Sequence, residues 1–417
     1  MRVLAVGGGG REHAACAKLS QSPKLTKLFC APGNAGIASL AECADIPSTD
    51  VERMVAFARD SGVDLCAVTS DDPLAAGMTD AMRREGIKVF GPSRAAARIE
   101  SSKAFAKALM REHHIPTARF EVFTSAEAAE AHLTRVAPPY VVKADGLALG
   151  KGVTVTSELP QAVAAAREAL ADGRFASVVI EEYMAGREVT VMCFTDGDAY
   201  ALMPPCRDHK RIGDGDVGPN TGGMGVISPP PDFTPELLRE TEDNIIAPTL
   251  RAMKGMGCPF SGVLYFELML TAEGVKVIEY NARFGDPEAQ AVLPLLNTDL
   301  LDIMVAVADK KLSALPVAFS ALSSAVVMLA SAGYPGPVRK GFPVSGLSSL
   351  KSATHLFHSA TALDGEGRLV TDGGRVLGVC TVGDTLGAAL REVYSEVAKL
   401  SFEGMQYRND IGKKDVQ

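Results

Sequence analysis

Leu264-Tyr265-Phe266-Glu267-Leu268-Met269-Leu270 and Val275-Lys276-Val277-Ile278-Glu279-Tyr280-Asn281 are two apolar runs joined by Thr271-Ala272-Glu273-Gly274. Their length and their β-branched and aromatic content read as paired strands, with Gly274 supplying a positive φ at the turn. A three-residue turn over 272–274 sets Glu267 opposite Glu279 and puts Asn281 on the same face two residues on. The other side chains of both runs are largely apolar, so both faces should be covered. Carboxylates ~5 Å apart in such a place repel each other and lose solvation. Either one is protonated or a cation lies between them. Two carboxylates and an amide oxygen form an all-oxygen set that suits Mg²⁺ or Mn²⁺. The alternative is an edge hairpin with solvated acids. Arg283 lies two residues beyond Asn281, within reach of an anion held by such a metal.

The rest of the chain bounds what this hairpin can serve. There are 417 residues, 47% apolar and 22% charged, which fits about two to four globular domains and not a disordered chain. No apolar run nears the ~18 residues of a membrane span. Met1-Arg2-Val3-Leu4-Ala5-Val6 runs into glycine too soon to be a secretory segment. The expectation is a cytoplasmic protein with no membrane partner. A net charge of −8 without a Lys/Arg block argues against a nucleic-acid partner. The eight cysteines never form C-x-x-C, so reduced buried thiols are expected and zinc is not.

Residues 1–102 alternate strands (2–6, 25–31, 65–69, 88–90) with helices (12–21, 51–61 among them), the rhythm of an open parallel α/β sheet. Residues 103–320 form a second, mixed unit. Within it, 119–187 is a compact α+β part, 206–231 a long polar loop of functional character, and 235–256 a single helix. Residues 321–417 read as a small α+β domain.

Three further clusters carry chemistry. Gly7-Gly8-Gly9-Gly10-Arg11-Glu12 follows the first strand, where backbone N–H groups can approach an anion at a helix start. It lacks the third glycine of a dinucleotide fingerprint. A sugar phosphate or mononucleotide fits it better than NAD or an empty turn. Lys143-Ala144-Asp145-Gly146-Leu147-Ala148-Leu149-Gly150-Lys151-Gly152 joins two strands and lacks P-loop spacing. It is either a phosphate-covering loop or a plain hairpin. Val179-Ile180-Glu181-Glu182-Tyr183-Met184-Ala185-Gly186-Arg187-Glu188 is a strand ending in an acidic connector. It offers backbone groups to a flat base and Glu188 to a ribose, or it is a solvated turn. His209 divides evenly between functional and solvated readings. Cys206 has no base partner to make it a nucleophile.

The order of these clusters is similar to that of the ATP-grasp superfamily. More closely, the chain resembles the glycinamide ribonucleotide synthetase family, through Gly9-Gly10-Arg11-Glu12-His13-Ala14, Ala31-Pro32-Gly33-Asn34-Ala35-Gly36, Ser102-Lys103-Ala104-Phe105, Asp208-His209-Lys210-Arg211, Gly218-Pro219-Asn220-Thr221-Gly222-Gly223-Met224-Gly225 and Arg283-Phe284-Gly285-Asp286-Pro287-Glu288-Ala289-Gln290. The resemblance implies an α/β ATP-grasp fold with an N-terminal open parallel α/β domain and a small α+β C-terminal domain. It implies a ligase, active as a monomer, that joins glycine to 5-phosphoribosylamine with ATP and Mg²⁺ or Mn²⁺. By the same resemblance Lys103, Lys143 and the loop residues Gly150, Lys151 and Gly152 contact ATP phosphates. Glu181, Glu182 and Met184 line the adenine, and Glu188 the ribose. Glu279 and Asn281 bind metal, with Glu267 as a third ligand. Gly9, Gly10, Arg11, Glu12, Pro32, Gly33, Asn34, Asp71, Asn220, Thr221, Gly222, Gly223 and Asp286 hold substrate. Asp208, Lys210 and Arg283 stand near the reacting groups. Departures from the family pattern leave open whether Asp71 or Asp72 faces substrate. Glu267 stands where many relatives carry glycine. A carboxylase acting on another nucleotide intermediate and a nicotinamide oxidoreductase remain the rival readings.

Overall fold

Val3, Leu4, Ala5 and Val6 are fully buried, as a parallel strand covered on both faces requires. The computed structural model, which describes residues 1–148 and 152–416, places this strand (Arg2–Gly7) at the centre of a parallel sheet. Its neighbours are Lys27–Pro32 and Leu65–Val68, and Glu42–Cys43 and Lys88–Phe90 lie outside them. Helices Gly10–Leu19 and Val51–Asp60 fall where the apolar periodicity puts them.

A second sheet is antiparallel, with strands in the order Phe120–Phe123, Val178–Glu182, Tyr140–Ala144, Val153–Thr156. Helices Ala126–Leu133 and Leu159–Ala171 cover one face through Ala129, Leu133, Ala162 and Ala166 packed on Tyr140, Val142, Val178 and Ile180. The opposite face looks onto a third sheet built from Tyr200–Leu202, Arg187–Thr195, Gly262–Thr271 and Gly274–Asn281. Glu267 is paired with Glu279 in this sheet, as expected, but by another route. The turn is one residue shorter than expected, because Thr271 pairs with Gly274, which has φ +111°. Left alone, that would slip the register and bring Ile278 opposite Glu267. An irregularity between Glu267 and Leu268 leaves Ile278 unpaired and restores the alignment.

The fourth sheet runs Arg207–Asp208, Gly225–Ser228, Ser323–Ala330, Arg375–Gly383, His355–His358. Two of its strands come from 206–231, which is therefore not a structureless loop. Gly225–Ser228 is wholly buried and pairs with Ser323–Ala330. Four residues between glycine and proline give no readable period, and their partner lies about a hundred positions later. The expected helix over 235–256 is also interrupted. Pro235–Thr241 passes through a wide turn at Glu242–Ile246 into Ala247–Gly255. Pro248 cannot donate the hydrogen bond an unbroken helix needs there.

The N-terminal and C-terminal parts meet at two histidines. The His358 N–H donates to His13 Nδ1 at 2.8 Å, and the rings lie 5.3 Å apart. Burial, helped by the neighbouring His358, pushes His13 down to about 3. Burial alone takes His358 to about 4. Between these values and the ordinary value of about 6.5, the unfolded chain binds more protons than the folded one. Stability should therefore fall as pH drops below about 6.5 toward 4. Denaturant midpoints against pH should show a shallower acid slope for His358→Gln than for the unaltered chain.

Candidate active site

The space between the second and third sheets collects the charged groups. Ser102 caps the helix Lys103–Glu112, its Oγ accepting from the Phe105 N–H at 3.1 Å. The same hydroxyl donates to Asp145 at 3.0 Å, and Asp145 also accepts from Ala104 N–H and the Ser177 hydroxyl. This carboxylate thereby fixes the helix start against the base of the glycine-rich loop, where Lys103 Nζ donates to Gly146 O at 3.3 Å. Lys143 and Lys107 each lie 3.0 Å from Glu181, and all three side chains are almost fully buried. Lys143 also reaches the carbonyl of Ile278, the unpaired residue of the hairpin, at 3.4 Å. Glu181 Oε1 has no hydrogen-bond partner among the described residues. The connector beyond it is open: Tyr183 is half-exposed, and Glu182 is held through side chain and backbone by Arg119. A Cβ on Gly186 would strike the Leu270 carbonyl, so only glycine lets the connector pass over the third sheet.

Glu267 is buried, and its carboxylate is met by Lys210 Nζ, which also lies 3.2 Å from Glu188. Burial pushes Glu279 up, but Lys103, Lys143, Lys210 and Arg283 together hold it below the usual carboxylate range. The cation expected between the acids is therefore not solely a divalent ion. Lysines and an arginine already supply the compensation, and Lys210 is the cation on Glu267. Asn281 lies across from Tyr265, two residues along the strand from the acid pair and so on the same face.

Arg283 is 3.1 Å from Glu100 and 3.9 Å from Asp71, with its Nε unpartnered among the described residues. Glu100 also accepts from the Ala282 N–H at 2.8 Å. Asp71 is held low against burial by Arg283 and Arg11, whereas Asp72 is exposed and pushed up by burial and by Asp71. Asp71 is therefore the acid that faces the site.

In the first glycine turn, Glu12 accepts from Gly9 N–H at 2.9 Å, Arg11 Nε at 2.7 Å, Thr69 at 3.0 Å and Ser70 at 3.1 Å. The Gly9 N–H, a donor that a pyrophosphate would need, is already engaged. A Cβ on Gly8 would collide with the Gly33 carbonyl, so this turn and the 32–34 loop touch backbone to backbone. Asn34 clamps them, donating to Gly8 O and His358 O at 2.8 Å and accepting from Gly36 and Ile37 N–H at 2.9 Å. Asp286 pairs with Arg375 at 3.2 Å, and Arg375 donates to Asp286 O at 2.7 Å and to Gly222 O. Thr221 donates through N–H and hydroxyl to Lys210 O at 2.8 Å, while Asn220 is exposed.

The phosphoribosylglycinamide synthetase family matches the chain in three consecutive parts. Its N domain covers residues 1–100, its ATP-grasp (A) domain 101–289 and its C domain 324–414. The chain belongs to this family. The phosphoribosylamine–glycine ligase of Rhizobium meliloti is 45% identical over 420 residues, covering 100% of this chain and 99% of that protein. The trifunctional purine biosynthetic protein adenosine-3 of Gallus gallus is 45% identical over 424 residues, which is 100% of this chain and 42% of that protein. Among solved structures, the phosphoribosylamine–glycine ligase of Thermotoga maritima superposes with TM-score 0.86 at 31% identity, covering 98% of this chain and 100% of that one. The biotin carboxylase domain of the Hydrogenobacter thermophilus 2-oxoglutarate carboxylase, in complex with MgADP, gives TM-score 0.74 at 15% identity over 97% of this chain and 91% of that one. The last similarity shows the shared ATP-grasp fold alone.

For this member of the synthetase family, the structure brings Lys103, Lys143, Glu181, Lys210, Glu267, Glu279, Asn281 and Arg283 into one space. Gly150 and Lys151 lie outside the described residues. His209 is neither solvated nor free. It is half-buried, accepts from Gly412 N–H at 3.1 Å, and faces Gly225 O with its other nitrogen. Lys107, Glu100 and Arg375 are absent from the site residues expected from the sequence. Lys107 carried a signal, since it stands one helical turn from Lys103. Glu100 and Arg375 carried none, because they reach the site only through tertiary packing.

Burial, partly offset by Glu181, pushes Lys107 down to about 8. From about pH 8 to about 10.5 the unfolded chain binds the extra proton, so stability attributable to Lys107 should rise with pH across that window. Urea midpoints should show the unaltered chain gaining on Lys107→Met over that range.

Proposed function

We propose that the chain is an ATP-dependent ligase that joins glycine to 5-phosphoribosylamine, giving glycinamide ribonucleotide, ADP and phosphate, and that it serves purine biosynthesis in the cytoplasm. The observation that supports this most is the convergence of Lys103, Lys143, Glu279 and Arg283 in one cleft, in a chain matched by its family over nearly its whole length.

A carboxylate is a poor electrophile. Transfer of the γ-phosphoryl group to glycine makes glycyl phosphate, whose carbonyl carries a good leaving group. The amine of phosphoribosylamine then attacks that carbonyl and phosphate departs. The protein positions the reactants and offsets charge. Lys103 and Lys143 face the phosphates. Arg283, kept charged by Glu100 and Asp71 against burial, neutralises the glycine carboxylate or the developing acyl phosphate. Asp208, adjacent in the chain to the segment that carries Lys210, stands near the reacting groups in this reading. Water would hydrolyse the acyl phosphate, so the reaction needs a site closed to solvent while that intermediate exists.

Glu279 and Asn281, with Glu267 once Lys210 is drawn to Glu188, offer the all-oxygen donors that Mg²⁺ or Mn²⁺ takes. Bound there, the ion would neutralise triphosphate charge.

Phosphate release with each substrate omitted in turn tests the reading. Release should require ATP, glycine and phosphoribosylamine together. Release supported by bicarbonate without glycine would assign a carboxylase instead. Glu279→Gln should retain the fold and lose roughly 10²-fold in kcat/KM. Glu267→Gly should lose less, since Lys210 keeps Glu188 as a partner. Equal losses in the two variants would show that the carboxylates have equivalent roles.

A further inference from the structure

Two arginines and two aspartates form a closed ring beside the ribose-contact residue. Arg187, at the end of the connector, lies 2.6 Å from Asp232 and 2.7 Å from Asp415. Arg207 lies 2.7 Å from Asp232 and also pairs with Asp415. The Asp415 side chain is 1% exposed and that of Arg207 8%, although Asp415 belongs to the last short helix, Lys413–Asp415. The Arg207 Nε–H donates to the backbone carbonyl of Glu188 at 3.0 Å. The ring therefore touches Glu188 on one side and the Asp208-His209-Lys210 segment on the other.

The remainder of the C-terminal strap is tied to the same segment. The Gly412 N–H donates to His209, and Arg408 donates to Arg211 O at 3.2 Å. Asp214 accepts from the Asn409 N–H at 2.7 Å, and the Gly215 N–H donates to Asp410 at 2.7 Å. A strap that only sealed the surface would not need a carboxylate almost fully enclosed between two guanidinium groups. Burying such charges is costly unless each is paired, so the arrangement admits one geometry and resists drift.

We propose that Asp415 is a positioning residue for nucleotide binding: through Arg187 and Arg207 it fixes the far end of the acidic connector and the Glu188 backbone, and so sets where the nucleotide ribose is received. This rests on the ligase reading for the identity of the reaction but not for the binding of nucleotide. Asp415 touches no reacting atom, so its effect falls on nucleotide affinity before turnover.

Calorimetric binding of ADP with Mg²⁺ to the full chain, alongside steady-state kinetics, decides it. Asp415→Asn should weaken ADP binding and raise the KM for ATP by about fivefold or more. The KM for glycine should stay within about twofold, and Asp415→Glu should restore most of the affinity. Lys414→Ala, next to it on the exposed side, should change neither. The proposal is overturned if Asp415→Asn binds ADP as the unaltered chain does. It is equally overturned if ADP affinity and glycine KM worsen together, in step with the loss of folded protein. Should Asp415→Asn fail to fold, Arg187→Lys takes its place, and unchanged ADP affinity in that folded variant overturns the proposal. Failure of the unaltered chain to release phosphate with glycine, while it still binds ADP, would strike the ligase reading and leave this one standing.

Discussion

Like charges in one enclosed space govern this molecule. Glu267 and Glu279 face each other across a hairpin, and neither could stay ionised there unaided. Lys103, Lys143, Lys210 and Arg283 surround them, each brought by a different segment. Those lysines and that arginine need acids in turn, and Glu181, Glu188, Glu100 and Asp71 provide them. The site is thus an alternating lattice of charges in which strands, helices and connecting segments hold one another's members. Such a lattice forms only when the sheets are in register, so it links the fold directly to the chemistry.

The same logic explains the supporting parts. Asp145 ties the helix that carries Lys103 to the strand pair that carries Lys143. The four-way Glu12 junction fixes the first glycine turn in place. Arg375 reaches across from the C-terminal sheet to hold the Gly222 and Asp286 backbones. Three parts of the chain therefore meet at one cleft, and none of them completes it alone.

Much of this was legible in the residue order. The parallel N-terminal sheet follows from fully apolar short runs between helical periods. The acid pair follows from a period of two, although the turn is shorter than its glycine indicated and Ile278 makes up the difference. The 206–231 segment was misread as loop because Gly225–Ser228 finds its partner far away, and local pattern cannot report that. Asp71 and Asp72 were indistinguishable until Arg283 was seen to lie beside one of them. Arg375 and Glu100 are single charged residues in ordinary surroundings, and only packing reveals what they touch.

The central claim is that the hairpin acids stay ionised to join a divalent cation to the nucleotide triphosphate. The most direct measurement is ATP affinity by calorimetry as Mg²⁺ is raised, in the unaltered chain and in Glu279→Gln. Affinity should climb with Mg²⁺ in the first and lose most of that dependence in the second, with both equally folded. The same Mg²⁺ dependence in the two proteins would contradict the account.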